Sequence, residues 1–247
     1  MLDKREVRVK VKGDFALFTR PDLKVERMTY PCMTPSAARG ILDSILWKPE
    51  FQWYIRRIIV LKPIRFATIK RNEINSKQSK HPIIIEENRV QRNSVVLRDV
   101  AYIIEASIYQ SQVSEKNKPE KYVGRKGIDS KNDGIFNRRL KKGQCWRRPY
   151  LGVREFTAEF MEPDGTEQPI TETVPIGSML FDIFYDTKGK PAPLFFYDVA
   201  IRNGILNCEV PENDKMMESS HVQPPMDSEA SAQIYEFNLQ EEREAGL

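Results

Sequence analysis

Between Glu6 and Phe18 the chain reads EVRVKVKGDFALF, with Val7, Val9 and Val11 two apart among charged neighbours. That period belongs to a strand with one buried and one wet face; an α-helix would scatter the three valines around its axis. Residues 34–50, TPSAARGILDSILWKPE, obey the other period. Ala38, Ile41, Leu42 and Ile45 recur at i, i+3, i+4 and i+7, Thr34 can cap, Pro35 suits the first helical position and Pro49 closes the run. A helix between strands is therefore fixed early in the chain. FQWYIRRIIVLKPIRFATI follows as β-branched and aromatic strand material, with Pro63 as a break or an edge.

Further along, residues 70–94 are polar and basic except for Ile83–Ile85, and read as a long excursion between strands. SVVLRDVAYIIEASIYQS returns to strand, and a charged segment over 114–129 leads into a helix over about 130–142 that Gly143 stops. GVREFTAEFM, GSMLFDIFYD and PLFFYDVAIRNGILNCEV form a second strand cluster, punctuated by PDG and KGKPAP. The order predicts an α+β fold: a ferredoxin-like or RRM-like domain over 1–149, carrying a basic helix and inserted loops. A small antiparallel β domain over 150–210 and a flexible acidic tail over 211–247 complete the expected organisation.

The tail matters for charge. It holds nine acidic and two basic residues, a net of −7, so a chain of net +4 carries +11 on residues 1–210. A basic body points to a polyanion, most often nucleic acid, or to a solvated basic surface. Other classes drop out. No run approaches 18 apolar residues, which argues against a membrane helix, and the charged N-terminus lacks the apolar stretch of a signal peptide. Three scattered cysteines, Cys32, Cys145 and Cys208, suit free thiols in a reducing cytoplasm. His81 and His221 share no ligand spacing with the cysteines, and no P-loop, GxSxG or GxGxxG occurs. Neither a metal nor a cofactor is expected.

What remains is basic and aromatic. Residues 115–148 hold twelve Lys or Arg against four Asp or Glu, with Trp146 inside the run and Tyr150 just after it. Cations neutralise phosphates, and aromatic faces stack on unpaired bases for about 1–3 kcal/mol each. Trp47, Trp53 and Tyr54 read more simply as core.

Taken in order, KGDFALFTRPDLKVERMTYPCMTPSAARGILDSILWKP, the segment Lys70-Arg71-Asn72-Glu73-Ile74-Asn75-Ser76-Lys77, RRLKKGQCW, PYLGVREF and PLFFYDVAIRNGIL resemble successive blocks of the Cas-five family of CRISPR-associated RAMP proteins, in its type I-C form. The resemblance covers about residues 5–207. It implies an RRM-like RAMP domain with a small C-terminal β-sheet that grips the 5′ handle of the CRISPR RNA (crRNA). It also implies partners: the backbone and large subunits of a Cascade surveillance complex, and target DNA near the PAM-proximal end. In type I-C systems it further implies metal-independent processing of precursor RNA by ribose 2′-OH attack, served by a tyrosine and a Lys-His pair.

On this chain the lysine maps onto Lys131, but the histidine position is Asn132 and the tyrosine position is Leu46. Asparagine cannot exchange a proton near neutral pH, and leucine has no hydroxyl. Losing an acid–base group costs about 10²–10⁴ in rate. Tyr30, Lys121 and Tyr122 are conceivable substitutes but read as ordinary packing or surface residues. The expected site is Lys131 for any cleavage. For RNA binding it is Arg39, Lys70, Arg71, Lys77, Arg138, Arg139, Lys141, Lys142, Trp146, Arg147, Arg148 and Arg154. Binding with cutting and binding without it both stay open, as does a stand-alone RNA-binding protein or ribonuclease outside any CRISPR complex.

Overall fold

The computed structural model describes residues 6–23, 25–48, 51–77, 79–110, 128–185 and 191–209; for residues 109–110, 128–131, 184–185 and 191–192 it describes the backbone alone. The expectations for residues 114–127, including Lys121 and Tyr122, for the tail from 211, and for the side chain of Lys131 lie outside the described residues.

The elements run β1 (Glu6–Ala16), α1 (Pro35–Ile45), β2 (Phe51–Val60), β3 (Phe66–Ile74), α2 (Ile85–Asn88), β4 (Arg89–Gln110), α3 (Ile128–Lys142), β5 (Glu159–Met161), β6 (Val174–Tyr185), β7 (Pro191–Arg202) and β8 (Ile205–Asn207). The strands join in one sheet of order β5-β1-β4-β2-β8-β7-β6, and β3 pairs with β4 off that path. All strand pairings within it are antiparallel. The architecture is thus antiparallel β with few helices.

The opening alternation behaves as its period demands. Val7, Val9 and Val11 are buried, while Arg8 between them and Glu6 before them are exposed. In α1, the stripe of Ala38, Ile41, Leu42 and Ile45 is fully buried, and the Thr34 hydroxyl accepts the Ala37 N–H at 3.2 Å as an N-cap. Gly143 has φ 62° and ends α3, with Gly143 N–H donating to Leu140 O and Gln144 N–H to Arg139 O. A left-handed glycine of this kind satisfies carbonyls that the helix itself cannot. Trp53 is core, as expected, packed against Phe136 at 4.7 Å. Trp47 instead is 40% exposed.

Two readings of local structure need correction. Residues 70–94 are largely a two-stranded ribbon: β3 pairs with the first half of β4 from Phe66↔Leu97 to Ile74↔Arg89. Polarity hid the strand, because Lys70 and Asn72 face solvent while Arg71 and Glu73 on the other face are tied by ions. Glu73 takes Arg27 and Arg71, each at 3.3 Å, and Arg71 also reaches Glu155 at 3.1 Å. The segment GVREFTAEFM, read as strand, is mostly a turn, with only Glu159–Met161 extended in the sheet. Gly152 causes this. Its φ is 86°, and a Cβ there would lie 2.1 Å from Leu17 O.

β4 is the long member, at 22 residues. Its first half belongs to the ribbon, and its second half is flanked by β1 on one side and β2 on the other. Asp99, with φ 52°, sits at the change of partners. Among the described residues no helix is long and apolar enough to cross a membrane.

Candidate nucleic-acid interface

The C-terminal end of α1 organises the basic run. A helix leaves its last carbonyls without intrahelical partners, and α1 has no basic residue of its own in its last turn. Residues about a hundred positions later supply the donors. Trp146 Nε1 donates to Asp43 O at 3.1 Å, Trp146 N–H to Ser44 O at 3.1 Å, and Arg139 to Ile45 O at 2.6 Å. Trp53 Nε1 completes the set by donating to Leu46 O at 2.9 Å. Arg139 and Trp146 are therefore helix caps as well as members of the basic run, a role that residue type and spacing gave no way to foresee.

Next to these caps, Lys48 Nζ donates to Asn132 Oδ1 at 2.9 Å. Asn132 and Leu46 are both buried, at 0% and 2% exposure. The corner where α1 ends and α3 passes thus collects Lys48, Asn132, Arg139, Trp146 and Arg147. Arg138 and Lys142, one helical turn apart on α3, face solvent. Trp146 is 56% exposed, and the Arg147 guanidinium lies over its ring at 4.8 Å. Lys141 is 3.9 Å from Glu162, and Arg148 is exposed.

A second group forms at the ribbon. Lys70 and Lys77 are exposed there, and Arg71 with its Glu155 partner brings Arg154 alongside. Arg39 is ion-paired within the chain: its guanidinium meets Asp182 of β6 at 2.6 Å. Burial pushes the neighbouring Asp43 carboxyl up to about 6, with Arg39 pulling it down and Asp182 pushing it up. Tyr30 is buried, and its hydroxyl accepts the Leu180 N–H at 3.3 Å. Burial holds that phenol above its usual range. Among the described residues no group of three His, Cys, Asp or Glu is placed to hold a metal ion.

A corner with several cations and an exposed aromatic ring is suited to a phosphate backbone and its bases. The family model described as CRISPR-associated protein (Cas_Cas5) matches residues 6–192. The chain belongs to the Cas5 family. Among its relatives, the CRISPR pre-crRNA endoribonuclease Cas5d of Thermus thermophilus is 41% identical over 222 residues, 83% of this chain and 91% of the relative. The protein of the same name from Mannheimia succiniciproducens is 37% identical over 225 residues, 81% of this chain and 93% of the relative. A crystal structure described as that of a CRISPR-associated protein superimposes with a TM-score of 0.62 at 20% identity, covering 86% of this chain and 95% of the other, and supports the fold of this Cas5 member.

Proposed function

We propose that this Cas5 protein binds CRISPR RNA through its 5′ handle and processes the precursor transcript, within a type I-C Cascade complex. The observation that carries the proposal is a near full-length match, at 41% identity, to a CRISPR pre-crRNA endoribonuclease. The α1/α3 corner supplies the chemistry, with Arg138, Lys142, Arg147 and Arg148 as phosphate ligands and Trp146 as a stacking surface. Lys70, Lys77 and Arg154 extend the path along the ribbon, and contact with target DNA belongs to the same reading. Arg39, Arg71, Arg139 and Lys141 divide their charge between this path and their partners within the chain.

The same proposal assigns the fold. The partial order β5-β1-β4-β2, with one helix after β1 and another after β4, is the connectivity of a ferredoxin-like unit with β3 as an insertion. It carries the RRM-like RNA-holding domain past residue 149 to β5 at Glu159–Met161, and leaves β6, β7 and β8 as the small β part.

In the reaction, the ribose 2′-hydroxyl gives its proton to solvent hydroxide and forms the new O–P bond. The P–O5′ bond breaks, and the departing 5′-oxygen takes a proton from water. The products are a 2′,3′-cyclic phosphate and a 5′-hydroxyl. Lys131 is proposed to stabilise charge on the phosphate. Asn132 and Leu46 transfer no proton, so cleavage is slow compared with an enzyme that has both acid–base groups.

Incubating the purified chain with RNA of the CRISPR repeat from its own locus, in EDTA, tests this. Cyclic phosphate ends are expected, and Lys131→Ala is expected to abolish them while binding persists. Products ending in 3′-hydroxyls would reject the mechanism. Binding without any cut is the second reading, favoured by Leu46 and Asn132, and the same experiment separates the two.

A further inference from the structure

In the ribbon, Arg71 of β3 and Arg92 of β4 are direct cross-strand partners. Such a pair shares a face of the sheet, and like charges directly opposite each other destabilise it. A third guanidinium joins them, from a segment lying alongside β4, where Val95 N–H donates to Arg27 O at 2.8 Å. One carboxylate serves all three. Glu73, on the same face as Arg71, stands 3.3 Å from Arg27, 3.3 Å from Arg71 and 3.8 Å from Arg92. Glu155 adds a 3.1 Å contact to Arg71, and Asn75 Oδ1 accepts from Arg92 at 3.3 Å.

These contacts leave the arginines short of acceptors. A full charge-assisted bond spans about 2.7–2.9 Å. Arg39–Asp182 and Arg57–Glu105, both at 2.6 Å, are as close as that, whereas no contact to Glu73 is. Three guanidinium groups against two carboxylates keep a net positive charge, and the three arginines are partly buried, where an unbalanced charge costs more than on a wet surface. Two residues along β4 from Arg92, on the same face, Ser94 Oγ is buried with no hydrogen-bond partner among the described residues. An oxyanion is the group that would balance both the charge and the donors.

We propose that Arg27, Arg71 and Arg92 form a site for one backbone phosphate of bound RNA, and that Glu73 gathers the arginines and competes with that phosphate. The inference rests on the RNA-binding reading above and not on cleavage. A phosphodiester carries one negative charge and brings the sum over the cluster to zero. Its two free oxygens suit the planar fork of a guanidinium. Arginines already gathered by Glu73 lose less freedom when RNA arrives. Arg27 and Arg92 stand outside the basic run of residues 115–148, and the site uses the face of the ribbon opposite Lys70.

The test uses the full chain and repeat RNA from its own locus, with filter binding at several salt concentrations and melting curves on every variant. Arg27→Gln/Arg92→Gln is expected to weaken binding by about tenfold and to shrink the salt slope by roughly 1. Glu73→Gln keeps the shape but removes the competing charge, and is expected to tighten binding by about threefold. That gain should vanish when Glu73→Gln is added to the Arg27→Gln/Arg92→Gln chain, because the groups act at one site. Arginines that served only the fold would instead give Glu73→Gln a lower melting temperature with unchanged affinity, which would overturn the inference. If the double glutamine variant fails to fold, Arg27→Lys/Arg92→Lys replaces it: the charge and salt slope should persist while affinity falls by about threefold. Folded arginine variants that bind within about twofold of the unaltered chain would assign the cluster to a partner's carboxylates or to the fold, and overturn the inference while RNA binding stands. An unaltered chain that does not bind repeat RNA would remove both.

Discussion

Asp43 shows how much one side chain in this fold depends on its surroundings. It lies half-buried in the last turn of α1 near Asp182, where desolvation raises its carboxyl and Arg39 only partly offsets that. A carboxyl whose folded pKa is raised to about 6 from 3.8 makes the folded state hold its proton longer than the unfolded chain does. Stability from this group is therefore full below about pH 4 and falls as pH rises towards 6. Asp43→Asn is expected to raise the melting temperature at pH 7, with the gain shrinking to nothing near pH 4. Thermal melts across that range would expose an error if the gain were independent of pH.

At the scale of elements, the basic run does two jobs that mutation should separate. Arg139 and Trp146 cap α1, so Arg139→Ala or Trp146→Ala is expected to lower stability by about 1–2 kcal/mol through carbonyls left without their donors. Arg138 and Lys142 face solvent on α3, so reversing both charges should leave the melting temperature nearly unchanged. RNA affinity should fall, and its salt slope should shrink by roughly 1 per lost phosphate contact. Titrations at several salt concentrations alongside denaturant melts check both halves; equal stability losses in the two pairs would contradict the division. Residue types predicted α1, the stop at Gly143 and the strand of Val7–Val11, because each is governed by a local period or a local conformation. They could not reveal that Trp146 faces the end of α1, since that contact depends on chain closure over a hundred residues. The outer part of the ribbon, from Lys70 onward, escaped because ion pairs such as Arg27–Glu73 take the place there of the buried apolar residues found at its inner end, Val96 and Leu97. GVREFTAEFM misled in the opposite direction: strand-favouring residues were overruled by Gly152 pressed against Leu17 O.

For the molecule as a whole, the net +11 on residues 1–210 acts as a field more than as a set of contacts. If about six phosphates of single-stranded RNA are neutralised, log affinity should fall with log salt with a slope of about −4. A slope near zero, measured by filter binding with repeat RNA, would mean that the cations serve stability alone. From residue types alone the candidate site was legible as a density of charge, and the positions Leu46, Lys131 and Asn132 came only from the resemblance. The pairing of Lys48 with Asn132 and the retirement of Leu46 into the core are products of packing, and no local pattern announces them.

β4 is continuous from the outer ribbon to the middle of the sheet, and Asp99 is its one left-handed residue. Such a strand ties the ribbon covalently to the middle of the sheet, with residue 99 between the two halves. A tug on the ribbon arrives directly at β1 and β2, with no slack linker to absorb it.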